Sequence, residues 1–243
     1  MLGQYLRGVS EMRPKGFLFE NVESILHPTN RATFEQFVTE AEGEGYACTI
    51  FRTNSADFGV PQKRKRVFVF GLRGAKKGIP VPQATHTDVS EAGLFSDCLP
   101  HVGVGSFIAK YAGDEYSERQ EDARKGTYYN ELVHVPAGKN YIALSKLKGY
   151  KGRTFRSGGR FWNFLHKLHP DEPSITIAAQ PGPWVGPFHW DNRRLRVPEI
   201  AAIQTFPGTY KFFGNRRSIQ KQIGNAVPCL LAERMISHLI GYL

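Results

Sequence analysis

The chain has 243 residues, 41% hydrophobic and 12% aromatic, which is enough to fold around a core in one large or two modest domains. It has no apolar run of about 18 residues, which excludes a membrane-spanning helix, and its N-terminus lacks the pattern of a secretory leader. The formal charge of +10 favours a polyanionic partner, most often nucleic acid. Cys48, Cys98 and Cys229 form neither a CxxC pair nor a metal spacing, so they read as reduced thiols of a cytosolic protein.

Leu2, Leu6 and Val9 lie at helical spacing, and Pro14 ends the pattern. The apolar run from Gly16 to Val22 reads as a buried strand ending in the polar pair Glu20-Asn21. Thr29 or Asn30 is the expected cap of a second helix, whose apolar face is Phe34, Phe37, Val38 and Ala41 and which Gly43 and Gly45 stop. Strands are predicted near Tyr46–Thr53 and Val67–Leu72. Strand, helix, strand predicts a βαβ unit in a mostly parallel sheet, with ligands at the C-terminal edge, where Glu20 falls. On residue type alone Glu20 reads either as a ligand-edge carboxylate or as a solvated turn residue.

Between about 84 and 190 the helical periodicity fades. No Asp or Glu occurs from Leu132 to Pro170, where Lys139, Lys146, Lys148, Lys151, Arg153, Arg156, Arg160 and Lys167 are interleaved with Tyr141, Tyr150, Phe155, Phe161, Trp162 and Phe164. Such a stretch is either a phosphate-tracking, base-contacting surface or a solvated basic face over an aromatic core. Pro198 and Pro228 then mark the starts of two helices.

Four stretches, in this order, resemble motifs of the DNA cytosine-5 methyltransferase family. They are Phe19-Glu20-Asn21-Val22; Pro61-Gln62-Lys63-Arg64-Lys65-Arg66 followed by a strand; Arg193-Arg194-Leu195 with Glu199 and Gln204-Thr205-Phe206-Pro207; and Gln222-Ile223-Gly224-Asn225-Ala226-Val227-Pro228. The variable stretch between the second and third matches the family's target-recognition region. The family's glycine-rich cofactor loop and Pro-Cys nucleophile precede the first motif, and the roughly twenty residues found there match neither.

The resemblance implies an α/β fold: part of a Rossmann-like, S-adenosylmethionine-dependent methyltransferase domain plus a smaller, loop-rich, mixed target-recognition domain. The expected division is 1–83 catalytic, 84–190 recognition and 191–243 a return to the catalytic part. The implied reaction transfers a methyl group from S-adenosylmethionine to a cytosine flipped out of duplex DNA, within a restriction-modification system of a bacterial or phage cytosol. A complementary subunit would supply the cysteine and cofactor loop.

By resemblance, Glu20 meets nitrogen 3 and the exocyclic amine of cytosine, and Arg66 meets its carbonyl. Arg64 braces the flipped nucleotide's phosphates or neighbouring acidic groups. Strand alternation puts Arg64 and Arg66 on one face and Lys63 and Lys65 on the other. Asn225, Ala226 and Val227 form one wall of the cofactor pocket; read without the resemblance, Gly224-Asn225 is a turn entering a helix. Gln62, Arg156, Arg160, Thr176 and Arg193 are the candidate DNA-binding residues. Thr176 sits on an expected strand beside the base's path, Gln62 also orders its loop, and Arg193, with Arg194, Glu199 and Gln204, also organises the base of the recognition region. Cys48 is not expected to replace the nucleophile. The alternative from another class is a non-catalytic DNA-binding remnant of such an enzyme.

Overall fold

A computed structural model describes residues 2–88, 90, 97–155 and 161–243. Helix α1 (Leu2–Met12) buries Leu6 and Val9 as the spacing predicts. Strand β1 (Gly16–Val22) leads through a 3-10 turn into α2 (Pro28–Gly43), whose buried face is Phe34, Phe37, Val38 and Ala41. The cap of α2 is His27, whose ring accepts from the Thr29 N–H, rather than Thr29 or Asn30. Pro28 decides this, because its fixed φ and missing N–H suit the first helical position and leave the cap to the residue before it.

Strands β2 (Tyr46–Asn54) and β3 (Lys65–Arg73) complete a three-stranded sheet of order β1-β3-β2. The parallel-sheet expectation is corrected here. β3 lies between the other two and runs antiparallel to both, so β1 and β2 point the same way without touching. The α2 crossover of the expected βαβ unit is present, with a third strand inserted into it.

Each face of the sheet is covered by helices. On one side Phe17, Phe19, Val67 and Val69 pack against α1 and α2. On the other, Phe51, Phe68 and Phe70 meet Leu231, Met235 and Leu239 of α7 (Cys229–Ile240). The last helix thus returns to the sheet formed by the first third of the chain. Period-2 alternation along β3 produces both faces from one strand.

Between these parts the chain uses short elements. A two-residue parallel pair joins β4 (His86–Thr87) to β5 (Leu99–Pro100). Helices α3 (Gly105–Ile108), α5 (Val197–Ile203) and α6 (Arg216–Asn225) pack with Leu168, Ile177 and Leu195 around a second core. A third core is largely aromatic: Tyr141, Trp184 and Phe188 pack with Leu132 of α4 (Tyr129–His134), Leu144 and Leu165. The strand expected around Thr176 is not formed over Ser174–Ile177. Its one ladder contact is an isolated parallel bridge between Ser174 and Gln62. Among the described residues, no helix is long and apolar enough to cross a membrane.

Candidate functional site

Because β3 runs against its neighbours, its first residues lie at the sheet edge where β1 and β2 end. Arg66 faces Val22 on one side and Thr53 on the other. Glu20 lies diagonally across on the same face, the α7 side, within reach of a long side chain. Arg66 Nε donates to Glu20 Oε1 over 2.8 Å, with the arginine side chain 10% and the carboxylate 25% exposed. Arg66 Nη1 donates to the Lys65 carbonyl, and Nη2 has no hydrogen-bond partner among the described residues.

Burial raises the Glu20 carboxyl above its ordinary range, and this outweighs the opposing pull of the Arg66 and Arg64 charges. Burial likewise lowers the Arg66 guanidinium, against the pull of Glu20. The site therefore holds a partly desolvated acid beside an arginine that has a donor to spare.

Arg64 and Arg66 are buried while Lys63 and Lys65 are exposed, as the alternation requires. Arg64 points inward. Its Nη2 donates to the Gly224 carbonyl at 2.8 Å and its Nη1 to the Ile177 carbonyl at 3.4 Å. Desolvation and the neighbouring Arg66 hold its pKa down to about 10, so it stays charged at neutral pH. The guanidinium therefore touches Ile177 and the end of α6, and Glu20 is the acidic group near it.

Gln62 is completely buried, and its Oε1 accepts from the Ile177 N–H at 3.2 Å. The Lys63 N–H donates to the Ser174 carbonyl and the Ser174 N–H to that of Pro61. Thr176 Oγ1 donates to the Lys63 carbonyl at 2.9 Å. Gln220 on α6 reaches the Ala178 carbonyl, and Gln204 reaches that of Ile223. The loop before β3, residues 174–178 and the end of α6 are thus laced together by side chains that satisfy backbone groups. Gly224 is required here, because a Cβ would sit 2.5 Å from the Ala179 backbone.

Asn225 ends α6 and is exposed, Ala226 and Val227 are half-buried in the turn, and α7 follows. The helix runs through Gly224-Asn225, so the turn begins only after the dipeptide, at Ala226. Val227 packs against the α7-side cluster of the sheet.

Arg193 makes a two-pronged pair with Glu199 at 2.8 and 2.6 Å, and the completely buried Glu199 also accepts from the Arg196 N–H. Arg194 lies over Trp184 and Phe188. Arg156 and Arg160 lie outside the described residues. Burial pushes the Cys48 thiol up to about 11, the wrong direction for a nucleophile.

Two residues at this edge escape a motif reading. Thr53 is buried opposite Arg66, and its hydroxyl has no partner among the described residues. Asn54 Oδ1 accepts from the N–H groups of Arg64 and Ala56, shaping the loop before β3. An Asn just ahead of a helical turn is a readable cap signal, whereas nothing in the sequence marks Thr53.

The family model for C-5 cytosine-specific DNA methylases matches residues 1–241. The chain belongs to that family. Among its relatives, the type II methyltransferase M.SacI of Streptomyces achromogenes is 38% identical, aligned over 100% of this chain and 65% of its own length. M.NgoFVII of Neisseria gonorrhoeae is 30% identical over 92% of this chain and 58% of its own. The chain thus spans less than two thirds of either relative. Among solved structures, a Spodoptera frugiperda DNMT2 variant superposes with a TM-score of 0.60 at 13% identity, over 98% of this chain and 71% of that one. S. pombe Dnmt2 methyltransferase gives 0.53 at 14%, over 94% and 66%. At these identities the likeness establishes the fold, a mixed α/β methyltransferase arrangement. Members of the family take their methyl group from S-adenosylmethionine.

Proposed function

We propose that the chain is the part of a DNA cytosine-5 methyltransferase that carries target recognition and the acid–arginine side of the active site. The full reaction moves a methyl group from S-adenosylmethionine to carbon 5 of a cytosine flipped out of duplex DNA. The observation that carries this reading is the Glu20–Arg66 pair: a carboxyl whose pKa burial raises, 2.8 Å from an arginine at a sheet edge. A neutral carboxyl can donate to nitrogen 3 of cytosine, which makes carbon 6 easier to attack. Its other oxygen can accept from the exocyclic amine, which distinguishes cytosine from thymine. The free Arg66 Nη2 is the donor available for the base carbonyl, where charge grows during attack. Arg64 takes a positioning role in this reading, holding Ile177 and Gly224 in register with the Glu20 edge.

Residues 1–83 and 191–243 form the catalytic part in this reading and 84–190 the recognition part. The expected DNA contacts come from Arg156, Arg160, Thr176 and the basic stretch around them. Gln62 and Arg193 serve indirectly, since one is fully buried and the other is engaged with Glu199.

The residues at the α6–α7 turn suit one wall of a cofactor site. Asn225 is exposed, and Ala226 and Val227 are small enough for close approach. When bound, the cofactor supplies the methyl group. The thiolate nucleophile and cofactor loop come from a complementary stretch of polypeptide. β1 suits such an arrangement, because it pairs with β3 on one side and with no strand on the other among the described residues. Such an open edge is a ready template for further pairing.

The experiment is methyl transfer from labelled S-adenosylmethionine to duplex DNA, with this chain alone and with a complementary N-terminal half added. Transfer only in the mixture is the expected result. No transfer in the mixture, with both parts folded, overturns the reading.

A further inference from the structure

The aromatic core of the middle region carries two rings that it does not bury. Phe161 is 58% and Trp162 56% exposed. They border a groove of about 630 Å³ whose other walls include Tyr128, Phe155 and Phe164. Those three rings are locked edge-to-face, with centroids 5.1 to 5.7 Å apart. The exposed pair is held from below. The Trp162 carbonyl accepts from the buried Asn140 amide at 2.8 Å, and the Phe164 N–H closes a turn on the Phe161 carbonyl. The backbone under both rings is thus tied at two carbonyls.

Its surroundings select the partner. No acidic residue occurs between Leu132 and Pro170, and the Arg153 guanidinium lies over the Tyr128 ring at 5.4 Å. Val185 lines both this groove and a neighbouring cavity of about 580 Å³, which is bordered by Ile177, Arg194, Arg216 and Gln220. That cavity adjoins the junction held by Arg64 and Gly224. Arg194, Arg216 and Arg217 thus border a cavity that shares the Val185 wall with the groove of the two exposed rings. A partner that is polyanionic along its length and presents flat apolar faces meets both requirements, and nucleic-acid bases do so.

We propose that Phe161 and Trp162 are a base-stacking element: one or both rings lie against the face of an unstacked base when the chain engages DNA. This rests on the DNA reading above. Stacking adds affinity that is nearly blind to salt, whereas phosphate contacts set the slope of affinity against salt.

The test uses the full chain and a duplex oligonucleotide, titrated at several salt concentrations by anisotropy and by tryptophan emission. Trp184 is buried and Trp190 half-buried, so quenching on binding reports chiefly on Trp162. Trp162→Ala and Phe161→Ala are expected to weaken binding roughly 5- to 100-fold per ring at every salt concentration, with an unchanged salt slope. Trp162→Phe should retain most of the affinity. Wild-type binding without quenching, or alanine variants that bind as wild type, overturns the stacking element and leaves the DNA reading intact. If the alanine variants keep their DNA affinity but no longer capture the complementary half, the groove is a protein interface and the proposal is wrong. If the wild-type chain shows no salt-dependent DNA binding at all, the DNA reading fails and takes this inference with it.

Discussion

The Arg64 guanidinium holds the carbonyl of Gly224, 160 positions further along the chain, at 2.8 Å. A second donor on the same group serves Ile177. Arg64→Ala leaves two carbonyls without these donors and is expected to cost about 2–4 kcal/mol. Lysine cannot present the same fork, so Arg64→Lys should recover only part of the loss. Denaturant unfolding of the three proteins measures this, and equal midpoints would show that the tie contributes nothing.

Gly224→Ala drives a methyl group to 2.5 Å from the Ala179 backbone. Backbone on both sides leaves little room to yield, so a loss of about 1–3 kcal/mol is expected. The change in thermal midpoint tests it, and stability equal to wild type would mean that α6 can slide away from residues 178–179.

Glu199 is buried under three donors, two from Arg193 and one from the Arg196 backbone. Glu199→Ala strands a partly buried guanidinium and the Arg196 N–H, and should destabilise by about 2–4 kcal/mol. Glu199→Gln keeps acceptor capacity and should cost less. A double-mutant cycle with Arg193→Ala separates the pair from the cap.

Glu20→Gln in the assembled enzyme is expected to slow methyl transfer roughly 100- to 10,000-fold, the range of a lost general acid. Burial extends the neutral form of Glu20 above the ordinary carboxylic range. A step that needs the neutral acid is therefore fastest below that raised pKa and slows as pH rises through it. The alkaline limb should be present in wild type and missing in Glu20→Gln. An identical pH profile in the two enzymes would remove Glu20 from the proton's path.

Two histidines should make the middle region acid-sensitive. Desolvation, reinforced by Arg193 and Arg196, takes His189 from 6.5 down to about 3, and desolvation takes His166 to about 4. His189 Nδ1 accepts from the Asp191 N–H, which the neutral ring permits. Below pH 6.5 the unfolded chain binds protons that the folded chain refuses, so stability falls as the pH is lowered through that window. Unfolding midpoints from pH 7.5 to 4.5 should drop more steeply in wild type than in His189→Gln.

Apolar runs located all three main strands to within a few residues, and alternation separated Arg64 and Arg66 from their lysine neighbours. The direction of β3 was readable in principle. Ten residues separate Asn54 from Lys65, fewer than the dozen or more that a parallel return needs. Ser174–Ile177 has strand-like residues but finds one bridge, because Gln62 and Lys63 take its backbone groups one at a time. The inward role of Arg64 was hidden in a run of four basic residues whose composition reads as surface. Thr53 was invisible because its interest lies wholly in what faces it.

The central position of β3 also governs the order of events during synthesis. β1 and β2 hydrogen-bond to β3 and not to each other, so every rung of the ladder waits for residues 65–73 to be made. Until then the emerging chain holds two apolar strands with no partner, and the late strand finds both at once. Neither the β1 ladder nor the β2 ladder can therefore form before β3 has left the ribosome.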